Sequence, residues 1–122
     1  MRATLCSFAI AVLAAGCAIT SVDGERMRPG SDAFSDYVES VFRRQNQVAT
    51  DLSLALEDEP DDTDRYSALE DAELDLLRAC STLNELAEAS RAGDEPGGLS
   101  ALKRARLAPD CERATKEAAA LL

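Results

Sequence analysis

Four cysteines are the chemically distinctive residues of this 122-residue chain: Cys6, Cys17, Cys80 and Cys111. No histidine accompanies them. A thiol can ligate metal, cycle between redox states, attack a carbonyl or pair with another thiol, and each use needs particular neighbours. Metal or redox work calls for a CxxC, or for a histidine or third ligand beside a cysteine pair, and none accompanies these cysteines. Nucleophilic work calls for a base, and no candidate nucleophile is flanked by one. Carboxylates are abundant, and the run EDEPDDTD at 57–64 is acidic at six of its eight positions. An EF-hand-type loop starting at Asp62 would have Asp64 and Glu73 in place. Tyr66 and Ser67, however, occupy the positions that need an oxygen ligand and the turn glycine. A solvated turn between helices is the better reading. Carboxylate pairs alone hydrolyse glycosides only across a cleft, and no Gly-rich phosphate loop is present. The expectation is a protein without catalysis, cofactor or metal.

The most distinctive polar segment is Phe42-Arg43-Arg44-Gln45-Asn46. Structurally, an arginine here would reach Glu73 or Asp75 on an antiparallel neighbour, and Gln45 would set register through a buried hydrogen bond. Functionally, Arg43, Arg44 and Asn46 would form a recognition surface for a protein partner, since both arginines cannot point inward. Lys103, Arg104 and Arg106 make a second, smaller basic group, a solvated face or a contact with lipid headgroups or peptidoglycan. The net charge of −10 opposes binding to nucleic acid and to anionic lipid surfaces. No small-molecule substrate is evident.

The first 16 residues form a leader. Met1 and Arg2 make a minimal charged start, and Ala3 to Ala15 carry no charge. A membrane-spanning helix needs about 20 apolar residues, and Asp23, Glu25 and Arg26 arrive too early for one. The run ends in Leu13-Ala14-Ala15-Gly16-Cys17, which resembles a bacterial lipobox, the recognition site of signal peptidase II substrates. The family prefers leucine three positions before the cysteine; here that place is Ala14, with Leu13 one further back. Ordinary secretory cleavage at a small-x-small site, releasing a soluble protein, is the rival. The resemblance implies a mature chain that begins at Cys17 with a diacylglycerol and a further acyl chain. Two or more acyl chains anchor stably. By the sorting rule of such lipoproteins, Ala18 after the cysteine implies the outer membrane, with the fold in the periplasm. The layout is also similar to small Gram-negative envelope lipoproteins, a loose class whose leader and size imply no activity.

Behind the leader, residues 17–30 contain Gly24, Pro29 and Gly30 without a consistent period, and read as the lipidated N-terminus and a flexible tether. Residues 31–122 read as one all-α domain. Leu and Ala supply most of the apolar content, and aromatics are few. A first helix opens at Ser31 or Asp32 and carries Phe34, Val38, Val41, Gln45, Val48, Leu52 and Ala55 at alternating spacings of four and three. Pro60 stops it. A second helix, capped by Asp62 or Thr63, carries Tyr66, Leu69, Glu73 or Ala72, Leu76, Cys80, Leu83 and Ala87. Leu74, Leu77 and Leu86 widen that face, as expected of a middle helix touching two neighbours. Gly93 marks its C-terminal cap and GDEPGG a turn. A third segment runs from about Leu99, kinked or restarted at Pro109. Cys111, Ala114 or Thr115, Ala118, and Leu121 or Leu122 continue its apolar face. The sum is a small up-down-up three-helix bundle.

That layout accounts for the cysteines. Cys6 leaves with the leader and Cys17 takes the lipid, so Cys80 and Cys111 remain, in an oxidising compartment. The second turn is centred between Glu95 and Pro96, with each cysteine about 15 residues from it, so an antiparallel pair brings them level. A disulfide there would stabilise the fold by roughly 3 to 4 kcal/mol in the chain-entropy treatment; two free buried thiols are the alternative. The function expected is that of a lipid-anchored, non-catalytic binding or accessory protein docked on an envelope partner. A structural or stress-related lipoprotein touching peptidoglycan or membrane is the second reading.

Overall fold

The computed structural model describes residues 18–93 and 105–122. The leader, Cys17, most of the GDEPGG turn, Leu99, Leu102, Lys103, Arg104 and the side chain of Ala87 lie outside the described residues. Three helices dominate: α1 (Asp32–Asp58), α2 (Asp64–Arg91) and α3 (Ala108–Ala119). Each packs against both of the others. The fold is the three-helix bundle expected from the apolar spacing.

Local sequence sets the helix ends. The Ser31 hydroxyl accepts the Phe34 amide at 3.2 Å and so caps α1. Thr63 does the same for α2, accepting the Tyr66 amide at 3.0 Å. Gly93 has φ +77°, the left-handed conformation that closes a helix C-terminus at no cost in Cβ clashes. Pro109 lies in the first turn of α3 rather than inside a continuous helix. Arg106 and Leu107 form a turn between helical Ala105 and α3, so the missing proline N–H falls where no intrahelical partner exists anyway.

Among the described residues, one buried cluster joins the three helices. From α1 it takes Val41, Val48 and Leu52; from α2, Leu69, Leu76, Cys80 and Leu83; from α3, Ala108, Cys111 and Ala118. Fully burying a leucine contributes about 1.5 to 3 kcal/mol, so the leucines of α1 and α2 carry most of the apolar stabilisation, while α3 supplies small residues that let it sit close. Gln45, buried in the α1 stripe, donates to Asn84 Oδ1 on α2 at 2.7 Å. An inter-helix hydrogen bond expected from this core position is therefore present. Leu74 and Leu77 depart from expectation, being 45% and 55% exposed. They lie about 100° or more around α2 from Leu76, beyond the arc that α1 and α3 cover together.

The largest correction concerns residues 17–30. Instead of a flexible tether, residues 19–27 form a hairpin, β1 (Ile19–Thr20) antiparallel to β2 (Arg26–Met27), with Ile19 opposite Met27. Both of those side chains are buried. The turn has a chemical reason: the Gly24 amide donates to Ser21 O at 3.0 Å, and Gly24 takes φ +89°. That is a type I turn followed by a left-handed residue, a common three-residue hairpin loop. The all-α bundle therefore carries a small β element before its first helix.

Candidate functional site

Of the residues singled out for chemistry, the structure joins two and separates the rest. Cys80 and Cys111 form a disulfide between α2 and α3, with Cα atoms 4.6 Å apart and both residues fully buried. The bond closes a loop of 31 residues. It lies in the core and has no exposed sulfur to exchange, so its role is to hold α3 on α2.

Arg43, Arg44 and Asn46 are exposed on the outer side of α1. Arg43 pairs with Glu39 one turn back along the same helix. Asn46 is also engaged locally, its Nδ2 donating to Phe42 O at 2.9 Å. The expected ion pair with Glu73 or Asp75 does not form. Gln45 faces Asn84 and Ser53 faces Glu73, whose Oε1 accepts from the serine hydroxyl at 3.2 Å. The arginines thus lie opposite a later part of α2 than the turn length suggested. Together with Asp36, Glu39, Ser40 and Gln47, Arg43 and Arg44 line an open groove of about 490 Å³ on the α1 surface. Its charges are mixed, which suits recognition of another protein surface better than capture of a single anion.

A second polar constellation, not foreseen from the sequence, joins the hairpin to α1 and α3. Its hub is Glu112, the residue after Cys111. Glu112 Oε2 accepts from the Tyr37 hydroxyl at 2.7 Å and from the Val22 amide at 3.0 Å. Lys116 Nζ lies 3.4 Å from Glu112 Oε1 and 2.8 Å from Asp23 Oδ1 in the hairpin turn. Burial pushes the Tyr37 phenol well above its usual range, and its hydrogen bond to the Glu112 carboxylate adds to the shift. Tyr37 therefore stays protonated as a donor and cannot serve as a base. The Lys116 ammonium is held above its usual value by its hydrogen bond to Asp23. Its chemistry is that of a clasp: a neutral donor, a charged acceptor and a cation, all satisfied by one another.

The signal for this clasp was present but weak. Asp23-Gly24 between Ile19 and Met27 is a hairpin pattern, and Glu112 four residues before Lys116 is a favourable helical pair. Neither indicates that Glu112 would reach Tyr37, which is 75 residues earlier.

An open groove of about 420 Å³ lies beside the clasp, with Asp23, Glu25, Asp36, Tyr37 and Glu112 among its lining residues. Among the described residues, no group of three or more His, Cys, Asp or Glu side chains is arranged to hold a metal ion, and no helix is long and apolar enough to cross a membrane. In the turn at 57–64, Thr63 and Arg65 both engage Glu59, at 2.9 and 3.3 Å. Comparison with protein families, with curated proteins and with solved structures finds no match for this chain.

Proposed function

We propose that the chain is a lipoprotein of the Gram-negative envelope, anchored through Cys17 in the outer membrane with its bundle in the periplasm. There it acts by binding, as a non-catalytic accessory to another envelope protein. The observation that carries the anchor is Leu13-Ala14-Ala15-Gly16-Cys17 at the end of a charge-free run. The Cys80–Cys111 disulfide supports an oxidising compartment. Partner binding is assigned to the exposed α1 surface that carries Arg43, Arg44 and Asn46, where guanidinium groups offer directional contacts to carboxylates of a partner.

Mass spectrometry of the mature protein from envelopes tests the anchor. The expected N-terminal peptide begins at Cys17 and carries diacylglycerol and an amide-linked acyl chain; a free N-terminus elsewhere overturns it. Crosslinking in intact envelopes tests the partner. A reproducible adduct weakened by Arg43→Glu with Arg44→Glu is expected, and the absence of any reproducible partner contradicts it. The second reading, a structural lipoprotein touching peptidoglycan or membrane, predicts cosedimentation of the protein with purified sacculi at low salt.

A further inference from the structure

The hairpin changes what an anchor at Cys17 would do. Ile19 is buried and registered against Met27, so only Ala18 separates Cys17 from the folded body. Consecutive Cα atoms are about 3.8 Å apart, which leaves no length for a tether. A lipid on Cys17 would draw the start of β1 down to the headgroup layer.

Charge on the hairpin fits that location. Ile19 and Met27 share the buried face of the two-stranded ladder, which leaves Thr20 and Arg26 on the other. Arg28, which follows the Ile19–Met27 pair and so lies beside Ala18, is exposed as well. Neither Arg26 nor Arg28 makes an ion pair among the described residues. Of the two hairpin acids, Asp23 is occupied by Lys116, and Glu25 sits by the turn, at the end away from Ala18. Two arginines without an ion pair among the described residues thus lie on or directly after the strand beside the attachment point, in a chain whose net charge is −10.

We propose that the exposed face of this hairpin is a membrane seat: Arg26 and Arg28 contact the phosphates of anionic phospholipids and hold the bundle directly on the bilayer in one orientation. The proposal rests on acylation of Cys17. Guanidinium groups bind phosphate oxygens through paired N–H donors. A basic side chain beside an anionic leaflet favours association by about fivefold. The acidic remainder of the chain is repelled by the same surface, so repulsion and attraction select the same orientation.

Arginine-selective modification with phenylglyoxal tests the seat. The acylated protein is reconstituted in vesicles of phosphatidylethanolamine containing a quarter phosphatidylglycerol, and separately in phosphatidylcholine vesicles. At low ionic strength, modification of Arg26 and Arg28 is expected to slow about fivefold or more on the anionic vesicles, with Arg44 unchanged as the internal control. Equal rates on both vesicles with Cys17 acylated overturn the seat and leave the anchor standing. Equal slowing at Arg44 also overturns it, because the protection is then not specific to the hairpin. The same digest reports the N-terminal peptide, and an unacylated Cys17 removes the anchor and the seat together.

Discussion

Two adjacent residues of α3 hold two different parts of the molecule in two different ways. Cys111 faces α2 and is joined to it covalently. Glu112, about 100° further round the helix, faces the hairpin and α1 and holds them by hydrogen bonds and charge. The first union is buried, directional and independent of pH. The second is partly exposed, and it depends on Tyr37 being neutral and on Glu112 and Lys116 being charged. A short helix that offers the core few large side chains therefore serves as a clamp, with α2 on one side and the N-terminal segment on the other.

The covalent side is expected to give the largest effect. Replacing both cysteines, Cys80→Ser with Cys111→Ser, or reducing the bond should cost roughly 3 to 4 kcal/mol and lower Tm by roughly 15 to 30 °C. Thermal unfolding with and without reductant checks this; a shift of a few degrees would mean that packing, not the bond, holds α3 on α2. Next comes Glu112→Ala. It leaves the Tyr37 hydroxyl and the Val22 amide without their acceptor and Lys116 without one of its two carboxylates, at about 2 kcal/mol. Denaturant titration measures the loss, which should come with release of the hairpin while the disulfide stays formed. Gln45→Ala, which deprives Asn84 of its partner, should cost about 1 kcal/mol and leave the hairpin untouched.

The pH dependence separates the two unions further. Tyr37 has a folded-state value raised above the ordinary phenol value of about 10. The native state therefore keeps a proton that the unfolded chain gives up. The resulting stability is fully present below about pH 10 and is lost as pH rises above it. Lys116 shifts in the same direction and adds to the loss. Urea unfolding at alkaline pH should show this decline, and Tyr37→Phe should flatten it. A variant as steep as the wild type would place the alkaline sensitivity elsewhere.

The covalent half of this contrast was legible in the sequence and the polar half was not. Apolar spacing at Val41, Val48, Leu52, Leu69, Leu76 and Leu83 identifies helices and their buried faces, because 3.6-residue periodicity is a local property. A turn expected near 95–96 would bring Cys80 and Cys111 level by helix geometry alone, and the two do pair. Leu74 and Leu77 depart from the expected face because the width of a buried arc depends on where the neighbouring helices lie. The Glu39 partner of Arg43 was within reach of local reasoning, whereas the level of α1 against α2 depends on tertiary packing. The hairpin is not legible because two strands of two residues give almost no alternation to read, and Gly and Pro serve a turn and a linker equally well. Tyr37, Glu112 and Lys116 meet only once α1, α3 and the hairpin have docked, and nothing local to any of the three specifies that meeting.

Amide hydrogen exchange at Val22 tests most directly whether the N-terminal segment is part of the fold. In the wild-type protein the Val22 amide, bonded to Glu112, and the Gly24 amide, bonded to Ser21, should exchange far more slowly than in an unstructured chain. In Glu112→Ala that protection should collapse while the amides around Cys80 and Leu83 keep theirs. Wild-type exchange at Val22 and Gly24 as fast as in an unfolded peptide would contradict the docked hairpin and return residues 17–30 to the role of a tether.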